Sequence, residues 1–594
     1  MAEPTDNTQD VAGTQPVAPS RGLTGQLLRA LSRPRVLLGL VALLLLLYAL
    51  LWTERFLVAQ LGPFAPLAIA VLGGLLLAIL GPWLVVRYRG QLRRAIVRSA
   101  RWLWTTTGVQ QLVARVQARY PRLARFLIAR LARGSATGLG LTVGVLLAGV
   151  VAWFFLELLI EVASGSPITG ADRRIINLVA TLRTPALDQA MLLVTFLGNA
   201  QTIAVLAAIA IIIVLLARRY EEAVLVLLAL VASSLFFSAI KLLIARPRPL
   251  LESARLVQGG FSFPSGHAAV SATFYGTIAY VLMREVRSEV VKVLIGLLAA
   301  LLVLAIGLSR IYLGVHYPSD VVAGWIAGGF WLVLVAVAEH VWFSRPRPAL
   351  PQPRRALTLV GSLVALLGGV AYLTGVYQAI PLPPQPTLTP VAPMLIAPES
   401  VPAIVDQLPH HTETLVGTTQ EPISLLLVGT QAQLEGAFRV AGWTEAQKLS
   451  FASVTQVVRV SLRHQADPSG PVTPSFVAEQ PNTLAFNQPI GTTFEQRHHI
   501  RIWPTQVQTI DGQTLWLATA SFDKGFELGS AIFLPTHQIA PDIDNERDYV
   551  AMSLEQTGMV GKAMTIQLVP PEYGHNLAGD VFFTYGKAII LWLH

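Results

Sequence analysis

Nine long apolar runs constrain this chain more than any other feature. They lie near residues 36–52, 64–86, 138–160, 190–217, 223–243, 267–283, 290–308, 319–343 and 356–377. About 20 apolar residues cross a hydrocarbon core as a helix. In lipid every backbone polar group must be satisfied within the segment, which favours helices. The runs predict an all-α polytopic membrane helical bundle of about nine spans. The fourth run is the least regular, because Asn199 and Gln201 interrupt it. Only 13% of the 594 residues are charged and 53% are apolar. That excludes a single soluble globule, which carries roughly 25% charged residues. There is no cysteine, so disulfides, thiolate metal sites and cysteine nucleophiles are excluded together.

Charge is split along the chain. Residues 1–377 hold 34 Lys+Arg against 15 Asp+Glu, whereas 378–594 hold 10 against 19. A basic membrane part with an acidic appendage explains the overall excess of base without nucleic acid as a partner. With the N-terminus inside, inner segments carry 25 Lys+Arg and the short outer loops 9. The bias predicts a cytoplasmic N-terminus, an extracytoplasmic C-terminal half and residence in a cytoplasmic membrane. Residues 1–35 read as a polar tail and 36–86 as two extra spans, an anchor and not a cleaved signal. Residues 87–137 form an inner segment. Within it, 87–134 hold twelve arginines and no acid. Leu92, Ile96, Ala100 and Leu103 repeat at helical spacing, as do Leu123, Leu127 and Leu131. This predicts a basic amphipathic segment lying on anionic lipid.

The six spans over 138–343 carry the chemistry. Three polar clusters stand at span ends: Lys241 with Arg246-Pro247-Arg248-Pro249, then Pro264-Ser265-Gly266-His267, then Ser309-Arg310 with His316 and Asp320. The predicted topology brings all three to the outer face. Lys241, Arg248 and Arg310 are three cations, and arginine forks match phosphate oxygens in pairs. Ser265 can cap the sixth span, Gly266 lets backbone approach closely, and a helix N-terminus offers free N–H groups to an anion. His316 and Asp320 are four apart, with Pro318 favouring a helix start between them. The carboxylate can then hold one ring nitrogen and leave the other as an aimed nucleophile. His267 is placed as a general acid. Together these groups describe phosphoryl transfer through a phosphohistidine. The cations hold the developing charge, so neither metal nor cofactor is expected. Taken singly, a cation at a span end is an interfacial anchor and a histidine at a helix start is a cap.

Lys-x6-Arg-Pro, Pro-Ser-Gly-His and Ser-Arg-x5-His-x3-Asp resemble the three signatures of the type 2 phosphatidic acid phosphatase and vanadium haloperoxidase superfamily, and every signature position matches. The resemblance implies His316 as nucleophile, Asp320 as its orienting partner and His267 as acid. It implies that Lys241, Arg248, Ser265, Gly266 and Arg310 hold the phosphate. It also implies metal-independent hydrolysis of a lipid phosphate or pyrophosphate, of the phosphatidic acid or undecaprenyl pyrophosphate class. The alternatives are a vanadate-dependent haloperoxidase, a lipid phosphotransferase, or a lipid transporter or scaffold with a vestigial site.

Residues 344–377 read as a loop and the ninth span, and 378–403 as a Pro-rich linker, with eight prolines in 381–402. Residues 404–594 read as a soluble α+β domain. A helix is expected over Thr430–Trp443, a hairpin around Asp511-Gly512 between 499–503 and 514–518, and a helix from Asp544 to about Glu555. Val581–Leu593 is strand-like with a break at Gly586. His498 and His499 point to opposite faces of a strand and cannot easily share a metal. His411-Thr-Glu-Thr-Leu, Glu421-Pro-Ile-Ser, Ala441-Gly-Trp443 and Arg497-His-His-Ile-Arg-Ile-Trp resemble the LssY-type C-terminal domain. That resemblance brings no settled activity and names no partner.

Overall fold

A computed structural model describes residues 107–132, 137–249, 254–255, 258–343, 355–379, 392–448, 453, 467–491, 496–528, 535–576 and 579–594. The two spans expected over 36–86 and the repeat Leu92–Leu103 lie outside the described residues.

Two short helices, α1 (Thr107–Arg119) and α2 (Pro121–Leu131), precede the bundle. Leu123, Leu127 and Leu131 of α2 are all exposed. The bundle is built from α3 (Leu139–Ala163), α4 (Pro167–Thr181), α5 (Pro185–Phe196), α6 (Ala200–Leu216), α7 (Tyr220–Ile244), α8 (Gly266–Glu285), α9 (Glu289–Tyr312), α10 (Pro318–Phe343) and α11 (Arg355–Ala379). Among the described residues, α3, α7, α9 and α10 are long and apolar enough to cross a membrane, and the α5–α6 pair adds a fifth, broken span. Leu146, Trp153, Leu235 and Leu298 remain exposed, as side chains facing lipid would. The chain is an integral membrane protein.

Among the described residues, five of the seven expected spans that fall there are long and apolar enough to cross a membrane, counting the bent pair as one. α8 buries Ser271, Thr273 and Thr277, because it runs through the middle of the bundle against α7, α9 and α10. Its polar content lowers its hydropathy. In α11 the described side chains, Leu359–Gly375, form a shorter apolar stretch. The irregular fourth run is a real break: α5 and α6 meet at 47°.

Local signals set the helix ends. Thr184 accepts from the Leu187 amide ahead of Pro185, and Ser288 accepts from the Val291 amide. Ala245 takes the left-handed conformation, φ 50°, and stops α7 before Arg246-Pro247. α8 and α10 cross closely, since a Cβ on Gly324 would lie 2.7 Å from the Ser265 carbonyl oxygen and one on Gly328 2.5 Å from the Ala272 Cβ. Small residues let membrane helices approach this way.

The C-terminal unit is sheet-rich. Its main sheet centres on the hydrogen-bonded order Val560–Gln567, Lys587–Leu593, Leu425–Gly429, Thr514–Leu528, Arg497–Thr509, Leu484–Pro489. Apolar clusters fill both faces, one around Phe438, Phe486 and Leu591, the other around Trp503, Leu426 and Ile590. The folded unit begins earlier than the linker reading implies. Met394–Ile396 pairs with Val507–Thr509, and Val401 is fully buried. The hairpin turns at Gly512, φ 80°. Thr430 caps its helix with a reciprocal box to Gln433. Asp542, not Asp544, caps the helix Ile543–Glu555. Asp544 instead is buried and accepts from Arg547, Thr584 and the Tyr585 amide.

Candidate active site

The expected site residues converge where α7 ends and where α8 and α10 begin. Asp320 is fully buried, in the first turn of α10. Its Oδ2 accepts from the Tyr317 amide at 2.9 Å and lies 3.4 Å from Nδ1 of His316. Its Oδ1 accepts from Nη1 of Arg246 at 2.7 Å. With Nδ1 turned to the carboxylate, Nε2 of His316 is the outward atom, 3.2 Å from Nη1 of Arg248. His316 lies in the turn between α9 and α10. Burial first, then the charges of Arg310, Arg248 and Lys241, hold its imidazole well below the ordinary histidine value of 6.5. A neutral imidazole is the form with a free lone pair.

The three cations surround this ring from three elements. Lys241, near the end of α7, donates to the Phe261 carbonyl at 2.9 Å and the Ser262 carbonyl at 3.4 Å. Arg248 donates to the carbonyls of Gly260 at 3.0 Å and Val315 at 2.7 Å. Arg310, 3% exposed, donates to Thr195 Oγ1 at 2.6 Å and to Gln258 Oε1. Its Nε has no partner among the described residues. Among the described residues no carboxylate pairs with these three cations.

Ser265 takes the N-cap position of α8 but makes no capping bond, contrary to the sequence reading. The α8 start is instead held through the Ser265 amide, which donates to the Asp320 carbonyl at 2.9 Å. The Ser265 hydroxyl is therefore left buried with no partner among the described residues. An unpaired buried hydroxyl costs free energy unless something arrives to satisfy it. Gly266 adjoins Lys241, whose Cε is 3.9 Å from where a Cβ would stand.

His267 follows, with Nε2 2.7 Å from Asn199 Oδ1. An amide oxygen only accepts, so Nε2 carries the proton there and Nδ1 is the nitrogen left outside that bond. Gly198 packs against the same ring edge, since its Cβ would meet Cδ2 at 3.1 Å. The α5–α6 break thus puts an acceptor on the second histidine.

Sequence reasoning gave no role to Asn199, Asp172 or Arg246. Asn199 was visible as a polar interruption. Arg246 stood beside a signature arginine. Asp172 lies on α4 and bonds Arg246 Nη2 at 2.8 Å and the Ser319 amide at 2.9 Å. No fixed spacing ties α4 to the other clusters.

The family description PAP2 superfamily matches residues 222–344, and LssY C-terminus matches 405–588. Phosphatidylglycerophosphatase B of Bacillus subtilis is 32% identical over 183 residues, 30% of this chain and 86% of that protein. Lipid A 4'-phosphatase of Bacteroides thetaiotaomicron is 35% identical over 118 residues, 20% of this chain and 49% of that protein. A crystal structure of a transmembrane PAP2-type phosphatidylglycerolphosphate phosphatase from Bacillus subtilis aligns over 32% of this chain and 93% of its own, at 31% identity and a TM-score of 0.30.

Proposed function

The chain belongs to the PAP2 superfamily and ends in an LssY C-terminus, and on that premise we propose that it hydrolyses a membrane lipid phosphate or pyrophosphate at the outer membrane face through a phosphohistidine. The observation that carries the reading is the pair formed by His316 and Asp320. One ring nitrogen lies 3.4 Å from a buried carboxylate, without a hydrogen bond formed between them, and the other faces an arginine at 3.2 Å.

The lipid phosphate enters among Lys241, Arg248 and Arg310, and Ser265 Oγ and the α8 N-terminus donate to its oxygens. Arg248 exchanges Nε2 of His316 for a phosphate oxygen. Nε2 attacks phosphorus in line, forming the P–N bond as the P–O bond to the lipid breaks. Nδ1 of His267 gives its proton to the leaving oxygen, and Asn199 keeps that ring oriented. Water then attacks phosphorus, Nδ1 takes its proton, and the P–N bond breaks to release orthophosphate and His316. The cations oppose the charge that grows on the equatorial oxygens. The relatives are a phosphatidylglycerophosphatase and a lipid A 4'-phosphatase. Their shared chemistry, a phosphate on a lipid, is what the site reads.

The test is phosphate release from short-chain phosphatidic acid, phosphatidylglycerol phosphate and undecaprenyl pyrophosphate by the purified full-length chain in detergent. His316→Ala should lower kcat by roughly 10³-fold or more and abolish a trapped phosphoenzyme. A chelator should leave the rate unchanged, and vanadate should inhibit as a transition-state mimic. Retained turnover in His316→Ala refutes the nucleophile.

A further inference from the structure

α4 touches both halves of the protein. Successive helix positions stand about 100° apart, so Asp172, Arg173 and Arg174 point in three directions. Asp172 is 1% exposed and faces the site. It bonds Arg246 at 2.8 Å and the Ser319 amide at 2.9 Å, and also receives the Ser319 hydroxyl. The same guanidinium reaches Asp320 at 2.7 Å and Ser319 Oγ at 2.8 Å, and lies 4.2 Å over the Tyr317 ring. One arginine is therefore shared between Asp172 and the carboxylate that faces His316.

The other side of α4 is gripped by the C-terminal unit. Arg174 is 8% exposed and pairs with Glu413, its Nε donating at 3.0 Å. The turn at Gly417, φ 90°, closes on that guanidinium so tightly that a Cβ would stand 2.8 Å from it. Arg173 forms a two-pronged pair with Glu479, and Asn177 donates to the Glu479 carbonyl at 3.0 Å.

We propose that α4 couples the two halves: Asp172 is a positioning residue for the His316–Asp320 pair, and Glu413 and Glu479 of the C-terminal unit hold the helix that carries it. The inference rests on the phosphatase reading above. Buried ion pairs add little net stability, because desolvation offsets the attraction, and a packed apolar group serves as well. What a shared guanidinium supplies is a fixed place for Asp320. If α4 shifts, Arg246 follows Asp172 and the carboxylate loses its second anchor. The C-terminal unit thereby sets how well the nucleophile is aimed without touching substrate.

The test uses the full-length chain and the phosphate-release assay, with His316→Ala as the reference for real turnover. Asp172→Asn should lower kcat about tenfold, the usual scale for a group that orients a reacting side chain through one intermediary, with KM within about twofold. Arg174→Glu should lower kcat in the same way, and Arg174→Glu with Glu413→Arg should restore most of it. In the Asp172→Asn background, Arg174→Glu should cost little more, as expected for groups acting along one line. A wild-type chain lacking His316-dependent turnover sinks the phosphatase reading and this inference together. An active wild type whose kcat is unmoved by either Asp172→Asn or Arg174→Glu overturns the coupling alone. So does a loss in Arg174→Glu that the charge swap fails to repair, because that loss is damage to the fold.

Discussion

Gly324→Ala tests whether the site depends on the α8–α10 crossing. The added methyl would stand 2.7 Å from the Ser265 carbonyl oxygen, 2.8 Å from the Ala268 Cβ and 3.1 Å from the Ala269 nitrogen. Ordinary contact begins at 3.4 Å, so the first turn of α8 must retreat by about 0.7 Å, the difference between 3.4 and 2.7. Two of the three blocking atoms are backbone, so no side chain can simply rotate away. That turn carries Ser265, Gly266 and His267, while α10 carries Asp320 beside His316. The retreat widens the gap between acid and nucleophile. A misplacement of about 1 Å costs on the order of 100-fold in rate, so kcat/KM should fall roughly 30- to 100-fold. The overpacking cost of about 1–3 kcal/mol should leave the protein folded, as gel filtration in detergent would show. Gly329→Ala is the control, because nothing stands within 4 Å of its Cβ position. Activity of Gly324→Ala within threefold of wild type would refute the reasoning.

Asn199→Ala should lower kcat on alkyl phosphates about tenfold, a part of the 10²–10⁴ supplied by acid–base catalysis. It should leave p-nitrophenyl phosphate, whose leaving oxygen needs no proton, nearly unchanged, and an equal loss on both would count against His267 as acid. The acid limb of kcat/KM reports the free enzyme. Burial and three cations hold the His316 imidazole below its ordinary 6.5, so this ring stays neutral as pH falls through 6.5 and its limb should lie lower. A limb for His316 at or above that value contradicts the assignment, and Arg248→Met should move it upward.

Much of the site was legible because short motifs fix their own geometry. His316 and Asp320 are one turn apart around Pro318, and Ser265, Gly266 and His267 open one helix. The convergence of clusters was legible from span alternation. What stayed hidden depends on long-range meetings. Asp172 reaches Ser319 across 147 positions, and Arg174 reaches Glu413 across 239. α4 has no apolar run to announce it and reads as an outer loop. α8 reads in the sequence as an apolar span, and what the sequence hid is that its buried hydroxyls satisfy themselves on the helix backbone, as Thr273 does on Ala269 and Thr277 on Thr273. Ser265 was read as a cap because serine usually is one. Asp542 took the capping role read for Asp544, two positions on.

Lys241, Arg248 and Arg310 rest on carbonyl, hydroxyl and amide oxygens. Among the described residues no carboxylate pairs with them, so their charge is turned to the site. On the proposed chemistry such a bait does not distinguish the ester it cuts from the free ion it makes. Orthophosphate offers the same oxygens with no acyl tail to draw it away, so its escape competes with refilling. Throughput is then throttled by the very product that accumulates at the mouth.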